Sequence, residues 1–330
     1  MGNINFKEMR GGYALKQFVI DDLKRMQAMS LSQKIERTQY LIEEWYEAFN
    51  GNVAVSFSGG KDSTVLLNIA RSIYPDIPAV FFDTGLEYPE IREHVKTFDN
   101  VEWIKPKKNF KQIILEYGYP CVSKEVSQKI YDFKRTKSDK LKDRYLNGVI
   151  DKNGKLNLRT RIPLKWRYLI DAPFDITHKC CYFMKKSLSH QYEKKNNVKM
   201  IVATTTEESA LRTTSWILYG CNAFNSKKQQ SRPMSFWTEQ DILQYIKEYN
   251  IPIAKVYGDI ILDENGKYKT TGVDRTGCMF CMYGVQYEES PNRFEKMKLT
   301  HPKQYEWCMR DVDKGGLGLD KVLSYMNIKH

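Results

Sequence analysis

The sequence predicts an α/β protein, a mostly parallel sheet with helices on both faces, joined by an N-terminal helical extension and a mostly helical C-terminal one. Three observations carry this. Strand-length apolar runs at 53–57, 79–82, 101–104 and 198–203 alternate with stretches of helical period. The first run enters Ser58-Gly59-Gly60 and passes straight into a helix. The second ends in Asp83-Thr84-Gly85, so both loops fall at carboxyl ends of strands, where parallel sheets take their ligands.

A chain of 330 residues, 42% hydrophobic and 28% charged, can bury a substantial core. The expected division is 1–50 as a helical extension, 51–225 as a nucleotide-binding domain with a basic insertion at 124–170, and 226–330 as a C-terminal region. A net charge of +12 favours acidic partners, nucleic acid first. No apolar run approaches the roughly 18 residues of a membrane span. Met1-Gly2-Asn3-Ile4-Asn5-Phe6 lacks the Ser or Thr of a myristoylation signal, and no signal peptide follows. The expectation is a cytoplasmic protein with no membrane partner. Seven cysteines, two of them neighbours at Cys180 and Cys181, argue against a secreted disulfide framework.

Taken in order, residues 12–50 read as helical. Ser30 to Gln33 offers a capping box, and Ile35, Leu41, Ile42, Trp45 and Phe49 form an apolar stripe that ends at Gly51. The strand at 53–57 then leads through Ser56 and Ser58 to Gly59-Gly60-Lys61-Asp62-Ser63. Paired glycines leave no side chain between backbone amides and a ligand. A helix opening at Asp62 or Ser63 adds its unbonded N–H groups and dipole, and Lys61 adds a full charge. This is a phosphate cradle whose glycine spacing matches neither G-x-x-x-x-G-K-[ST] nor G-x-G-x-x-G. Asp62 has three readings: a magnesium ligand, a loop brace or a helix cap.

Val65, Leu66, Ile69 and Ile73 mark the following helix, and Pro75 and Pro78 bracket the turn into the run at 79–82. Asp83-Thr84-Gly85 is expected to face the same nucleotide as the glycine loop; a turn cap is the other reading of Asp83. Pro89 suits the first turn of a helix to Phe98. Between Lys124 and Arg167 stand fourteen Lys or Arg and five Asp or Glu. That stretch reads either as a solvated face or as a nucleic-acid surface on which Tyr131, Phe133, Tyr145, Trp166 and Tyr168 stack on bases. Asp151 to Gly154 and Asp263 to Gly266 read as hairpin turns. Thr238 caps a helix to about Tyr249, residues 285–330 read as helical, and Gly315-Gly316-Leu317-Gly318 reads as a flexible turn.

Cys278-Met279-Phe280-Cys281 lets two thiolates converge on one centre, and Cys180-Cys181 completes four ligands. An iron–sulfur cluster, a zinc ion, and buried structural or redox thiols are the three readings. Adjacent cysteines suit a cluster with several iron corners better than one small ion. Lys179, Lys185, Lys186 and Arg275 are expected to offset its charge. Cys221 is a rival fourth ligand, sulfur carrier or nucleophile, whereas Cys121 and Cys308 read as small buried residues.

Together these motifs resemble the phosphoadenosine phosphosulfate (PAPS) reductase family of the PP-loop ATP pyrophosphatase superfamily, including its iron–sulfur adenosine phosphosulfate (APS) reductases and DNA-phosphorothioation relatives. The resemblance rests on Ser58 to Ser63, Asp83-Thr84-Gly85, Cys180-Cys181 with Lys185, Glu207-Glu208-Ser209 with Arg212, Trp237-Thr238 with Asp241, and Cys278 with Cys281. It spans about residues 50–285. It implies a five-stranded parallel sheet of the adenine-nucleotide alpha-hydrolase kind, Glu208 and Arg212 as further nucleotide ligands, and a [4Fe-4S] cluster on Cys180, Cys181, Cys278 and Cys281. ATP, APS or PAPS is the implied nucleotide and Mg the implied ion. A nucleic acid and a cysteine desulfurase or other thiol or electron donor are the implied partners, with the oligomeric state left open.

Two departures steer the chemistry. No cysteine follows Cys308 to match the Glu-Cys-Gly nucleophile of sulfonucleotide reductases, and Thr205 stands where family members often carry arginine. The leading expectation is therefore ATP-dependent adenylylation in sulfur transfer to a nucleic acid. APS or PAPS reduction through Cys221 or Cys308 is the second, and a nucleotide- and nucleic-acid-binding module without turnover the third.

Overall fold

The computed structural model describes residues 18–330, so the reading of the first seventeen residues lies outside the described ones. The chain forms two units: one takes residues up to 82, 88–104 and 191–276, the other 83–87, 105–190 and 277–330.

The first unit is built on a parallel sheet with strands in the spatial order Val101–Ile104, Ala79–Phe82, Val53–Ser56, Lys199–Val202. Val55 pairs with Ala79 on one side and Ile201 on the other, which fixes the register. Alternation then sorts side chains to two faces. Val53, Val55, Phe57, Phe81 and Ile201 join the main core, while Ala54, Val80 and Met200 meet Tyr192 on the opposite face. Both faces are covered, as a parallel sheet requires.

The helices at Leu31–Ala48, Lys61–Ile73 and Glu239–Glu248 complete that core around Trp45, Leu66 and Trp237. Burying a side chain such as Leu66 contributes about 2 kcal/mol. The helical stretch expected before the sheet is two helices, Ile20–Gln27 and Leu31–Ala48. The break falls at Ser30, where the Gln33 side chain returns to the Ser30 N–H at 3.0 Å.

The sheet has four strands among the described residues, not the five that the resemblance implied. A fifth position survives only as a single-residue parallel bridge between Ile201 and Ser231. Pro233, two residues on, has no N–H to continue a ladder.

In the second unit, helices at Phe110–Tyr117, Lys124–Arg135 and Asp139–Asn147 are followed by an antiparallel hairpin pairing Val149–Ile150 with Leu156–Asn157. Strand Met282–Tyr283 pairs in parallel with Cys121–Val122, and helices at Arg293–Thr300, Pro302–Met309 and Leu319–Tyr325 complete it. The glycine-rich turn before the last helix is packed rather than flexible. Leu317 is wholly buried, the Gly318 N–H donates to the Arg310 carbonyl at 2.8 Å, and a Cβ on Gly316 would lie 2.0 Å from that same oxygen. No helix among the described residues is long and apolar enough to cross a membrane.

Candidate functional site

The chain leaves the central strand Val53–Ser56 through a sharp turn. Gly59 takes φ +71°, in the left-handed region, and Gly60 caps the helix Lys61–Ile73. A side chain at Gly59 would meet Val95 Cγ2 at 2.6 Å and Ile91 Cγ2 at 2.9 Å, so both backbone angle and space demand glycine. Ser58 and Ser63 lock the turn: their hydroxyls lie 3.0 Å apart, the Ser58 N–H donates to Ser63 Oγ at 3.2 Å, and the Gly60 N–H donates to Ser58 Oγ at 3.3 Å. The first-turn amides of the helix have no intrahelical carbonyl, and Lys61 gives its own to the Tyr257 hydroxyl at 3.1 Å.

This loop sits where the sheet order reverses. The chain proceeds from Val53–Ser56 to strands on one side, then returns with Lys199–Val202 on the other, and parallel sheets bind ligands at such a point. A polar cavity of about 160 Å³ opens there, lined by Ser58, Gly60, Asp62 and Ser63 from the loop and by Glu208, Arg212 and Arg275 opposite.

Lys61 is buried, with its ammonium 3.1 Å from Glu239, 3.3 Å from Asp62 and 3.0 Å from the Asp274 carbonyl. Burial alone would lower its pKa, but the Asp62 and Glu239 carboxylates outweigh it and hold the ammonium above its ordinary value. Burial in turn raises Glu239, against the pull of Lys61. Asp62 stands in the first turn of the helix Lys61–Ile73, and its buried Oδ1 has the Lys61 ammonium as its neighbour.

Glu208 pairs with Arg212 and, at 3.0 Å, with Arg275. Arg275, expected beside the cysteines, therefore serves this cavity instead. Its neighbour Thr276 bonds Tyr257 at 2.6 Å, and Tyr257 and Thr276 bring two hydroxyls to within 3.2 Å of where a Gly60 Cβ would stand. Sequence reasoning missed Tyr257, whose segment carries no motif, and passed over Glu239 and Thr276, which stand beside motif residues without being part of the pattern. The Arg275-Thr276-Gly277 run was the available signal.

Cys221 lies in the core of the first unit, where Trp216 Nε1 donates to its sulfur at 3.4 Å and burial pushes its thiol up to about 11. A thiol held protonated there is a poor nucleophile.

In the second unit, Asp83 Oδ1 accepts the Gly85 N–H at 3.3 Å, and Glu87 accepts from the Thr84 N–H at 3.1 Å and the Thr84 hydroxyl at 2.7 Å. The loop is thus braced by its own side chains. Cys180 and Cys181 open a helical run that continues as a π turn at Tyr182–Lys186, and their sulfurs are 3.9 Å apart. That hydrogen bond raises the Cys180 thiol and lowers Cys181. Lys124, Lys185 and Lys186 further favour the Cys181 thiolate. Cys180 also feels Cys281 and Cys278, so the four thiols are electrostatic neighbours. The Cys278–Cys281 loop is pinned by the Met279 N–H to the Leu86 carbonyl at 2.8 Å and by Arg293 to the Cys281 carbonyl at 3.0 Å. Burial pushes Cys278 up to about 12, against Lys185, whose own ammonium lies 3.7 Å from Glu87. Lys179 instead sits over the rings of Tyr131 and Tyr117. Among the described residues no three His, Cys, Asp or Glu side chains close around one point.

Comparison with known proteins adds the lineage. Matches of 124 and 85 residues, 29% and 39% identical, link the chain to two uncharacterized proteins of Methanocaldococcus jannaschii. They cover 36% and 24% of this chain but only 30% and 18% of those proteins. An adenosine 5'-phosphosulfate reductase of Staphylococcus haemolyticus is 23% identical over 64% of this chain and 68% of its own length. Sulfate adenylyltransferase subunit 2 of Bacteroides thetaiotaomicron is 23% identical over 74% and 69%. A solved PAPS reductase from Candida auris, in phosphate complex, covers 76% of this chain and 98% of that one at 12% identity and TM-score 0.37. The phosphoadenosine phosphosulfate reductase domain matches residues 52–283, well over half of the sequence, and the chain belongs to that family.

Proposed function

We propose that the protein is an enzyme that binds ATP at the Ser58–Ser63 loop and adenylylates an acceptor oxygen with release of pyrophosphate, so that sulfur can replace that oxygen on a nucleic acid. The observation that carries this reading is the loop itself: a left-handed Gly59, a Gly60 helix cap and a buried, charged Lys61 around one polar cavity. In the reaction the acceptor oxygen bonds to the α-phosphorus, the α–β P–O bond breaks, and the electron pair leaves on pyrophosphate. Loop amides and Lys61 stabilise the charge developing there, while Arg212 and Arg275 supply cations on the opposite wall. The Asp62 carboxylate, whose Oδ1 lies 3.3 Å from the Lys61 ammonium, fits a magnesium ion accompanying the nucleotide. Ser56 is a further nucleotide contact under this reading.

The four cysteines form an all-thiol set of the kind that holds a [4Fe-4S] cluster. When bound, the cluster would supply a redox-active, sulfur-rich centre, and Lys185 would offset its charge. A thiol-donor protein such as a cysteine desulfurase is the source of sulfur under this reading. Anaerobically purified protein should be brown with broad visible absorbance, lost when Cys278 and Cys281 become Ser; a colourless protein with one zinc per chain would sink the cluster.

Reduction of APS or PAPS is the second reading, favoured by the names of the staphylococcal relatives. Against it, burial pushes Cys221 up to about 11 and Cys308 up to about 12, the wrong state for an attacking thiol. The loop assignment is tested by calorimetry with a non-hydrolysable ATP analogue. Lys61→Ala should weaken binding about tenfold or more, as expected for a lost charge-assisted contact. Unchanged affinity would place the nucleotide elsewhere.

A further inference from the structure

The basic segment of the second unit does not offer the aromatic platform that its composition suggested. Trp166 is buried, Tyr145 gives its hydroxyl to Asp132 at 3.2 Å, and Tyr131 is already covered by Arg135 at 3.8 Å and Lys179 at 4.6 Å. Several of the cations are also engaged. Lys134 and Arg135 lie 3.6 and 3.8 Å from Asp175, and Lys129 bonds Glu125 and the carbonyls of Arg159 and Arg161.

What remains free is further along the chain. The helix Asp139–Asn147 has no buried residue, and the hairpin after it exposes aliphatic side chains. Ile150 is 70% exposed and Leu156 52%, and they are cross-strand partners in register, so they share one face of the hairpin. Lys152, Lys155 and Arg159 beside them are exposed and carry no ion pair among the described residues. The nearby Asp151 spends its Oδ1 on the N–H groups of Asn153 and Lys155, inside the turn.

From this arrangement we infer that the Gly148–Arg159 hairpin docks on double-stranded nucleic acid, with Ile150 and Leu156 entering a groove as an aliphatic wedge and the three free cations holding phosphates. The inference rests on the nucleic-acid acceptor proposed above and names how that acceptor is held. The side-chain types decide between occupants. Single strands are held by aromatic stacking, and the hairpin carries no aromatic residue; aliphatic wedges flanked by cations are a device for opening base steps of a duplex. A membrane surface calls for a helix with an apolar face turned outward. Here Leu141, Tyr145 and Leu146 of the neighbouring helix are half-buried, not exposed. An interface core for a protein partner is depleted in charge, which does not fit three unpaired cations interleaved with the exposed Ile150, Leu156 and Leu158.

The test uses the full chain with a fluorescent duplex labelled at both ends, the matching single strand and anionic lipid vesicles, without ATP. Duplex binding should exceed single-strand and vesicle binding, and its log–log salt slope should become shallower by about 2.7 when Lys152, Lys155 and Arg159 become Ala. Ile150→Ser with Leu156→Ser should cost about tenfold in affinity, leave the salt slope unchanged and abolish the protein-induced change in end-to-end energy transfer. Preference for single strand or vesicles, or aliphatic variants that bind and bend as the parent does, would overturn the inference. Pyrophosphate release from ATP alone, measured on the same variants, reports on the adenylylation reading separately. It should not change, because none of these side chains lies at the phosphate loop.

Discussion

Gly59 and Lys61 stand two positions apart and serve the phosphate loop by opposite means, one by having no side chain and the other by burying a charged one. Gly59 lets the chain turn at φ +71° against Ile91 and Val95. Lys61 keeps its charge in the interior only because Asp62 and Glu239 compensate its desolvation. The same helix start rests on His94, whose Nε2 lies 3.2 Å from Thr64 Oγ1 and whose ring meets the edges of Phe57 and Phe98. Burial lowers His94 from 6.5 to about 4. Between those values the unfolded chain binds a proton that the folded chain refuses, so stability falls as pH drops from about 6.5 towards 4. The full loss is about 3 kcal/mol, and it should be visible in urea midpoints across that window. His94→Gln should flatten the dependence there, and an unchanged profile would remove His94 from the account.

At the scale of elements, the helix Glu239–Glu248 connects the N-terminal helix to the site. Lys34, buried in Leu31–Ala48, reaches Asp241 Oδ2 at 2.6 Å, and Asp241 in turn accepts the Thr238 N–H at 2.6 Å and hydroxyl at 2.7 Å. That capped start sets Glu239 against Lys61, and Glu207 steadies it by accepting the Glu239 N–H at 2.8 Å. Lys34→Met leaves a carboxylate buried without its cation and should cost about 3 kcal/mol in chemical denaturation. A loss under about 1 kcal/mol would mean that water replaces the ammonium. The Thr238 cap and the Pro89 start of Pro89–Lys96 were legible because local chemistry decides them. The Lys34–Asp241 pair was not: its partners are separated by 207 positions, and nothing in either local pattern announces the other. Tyr257 was hidden in the same way, since its hydroxyl matters only once the fold has delivered it to the Lys61 amide.

For the whole molecule, alternation of short apolar runs with helical periods was enough to give the parallel sheet and the order in which the chain visits it. It also gave the four strands observed; the fifth came from the resemblance alone, and at that position Ser231 makes only a single bridge to Ile201. The glycine loop was readable before the fold because its geometry is local. The second half of its cavity, Glu208 with Arg212 and Arg275, assembles from distant segments of the first unit, and only the resemblance pointed to two of the three. Family membership leaves adenylylation and sulfonucleotide reduction as rival chemistries on one scaffold, and the raised Cys221 and Cys308 thiols weigh against the second. The measurement that separates them most directly is a product assay on anaerobically prepared, cluster-loaded protein, reading pyrophosphate with ATP in one arm and sulfite with APS or PAPS plus a dithiol in the other. The account predicts pyrophosphate from ATP, increased by duplex nucleic acid and lost in Lys61→Ala. Sulfite from APS or PAPS with no pyrophosphate from ATP would contradict it.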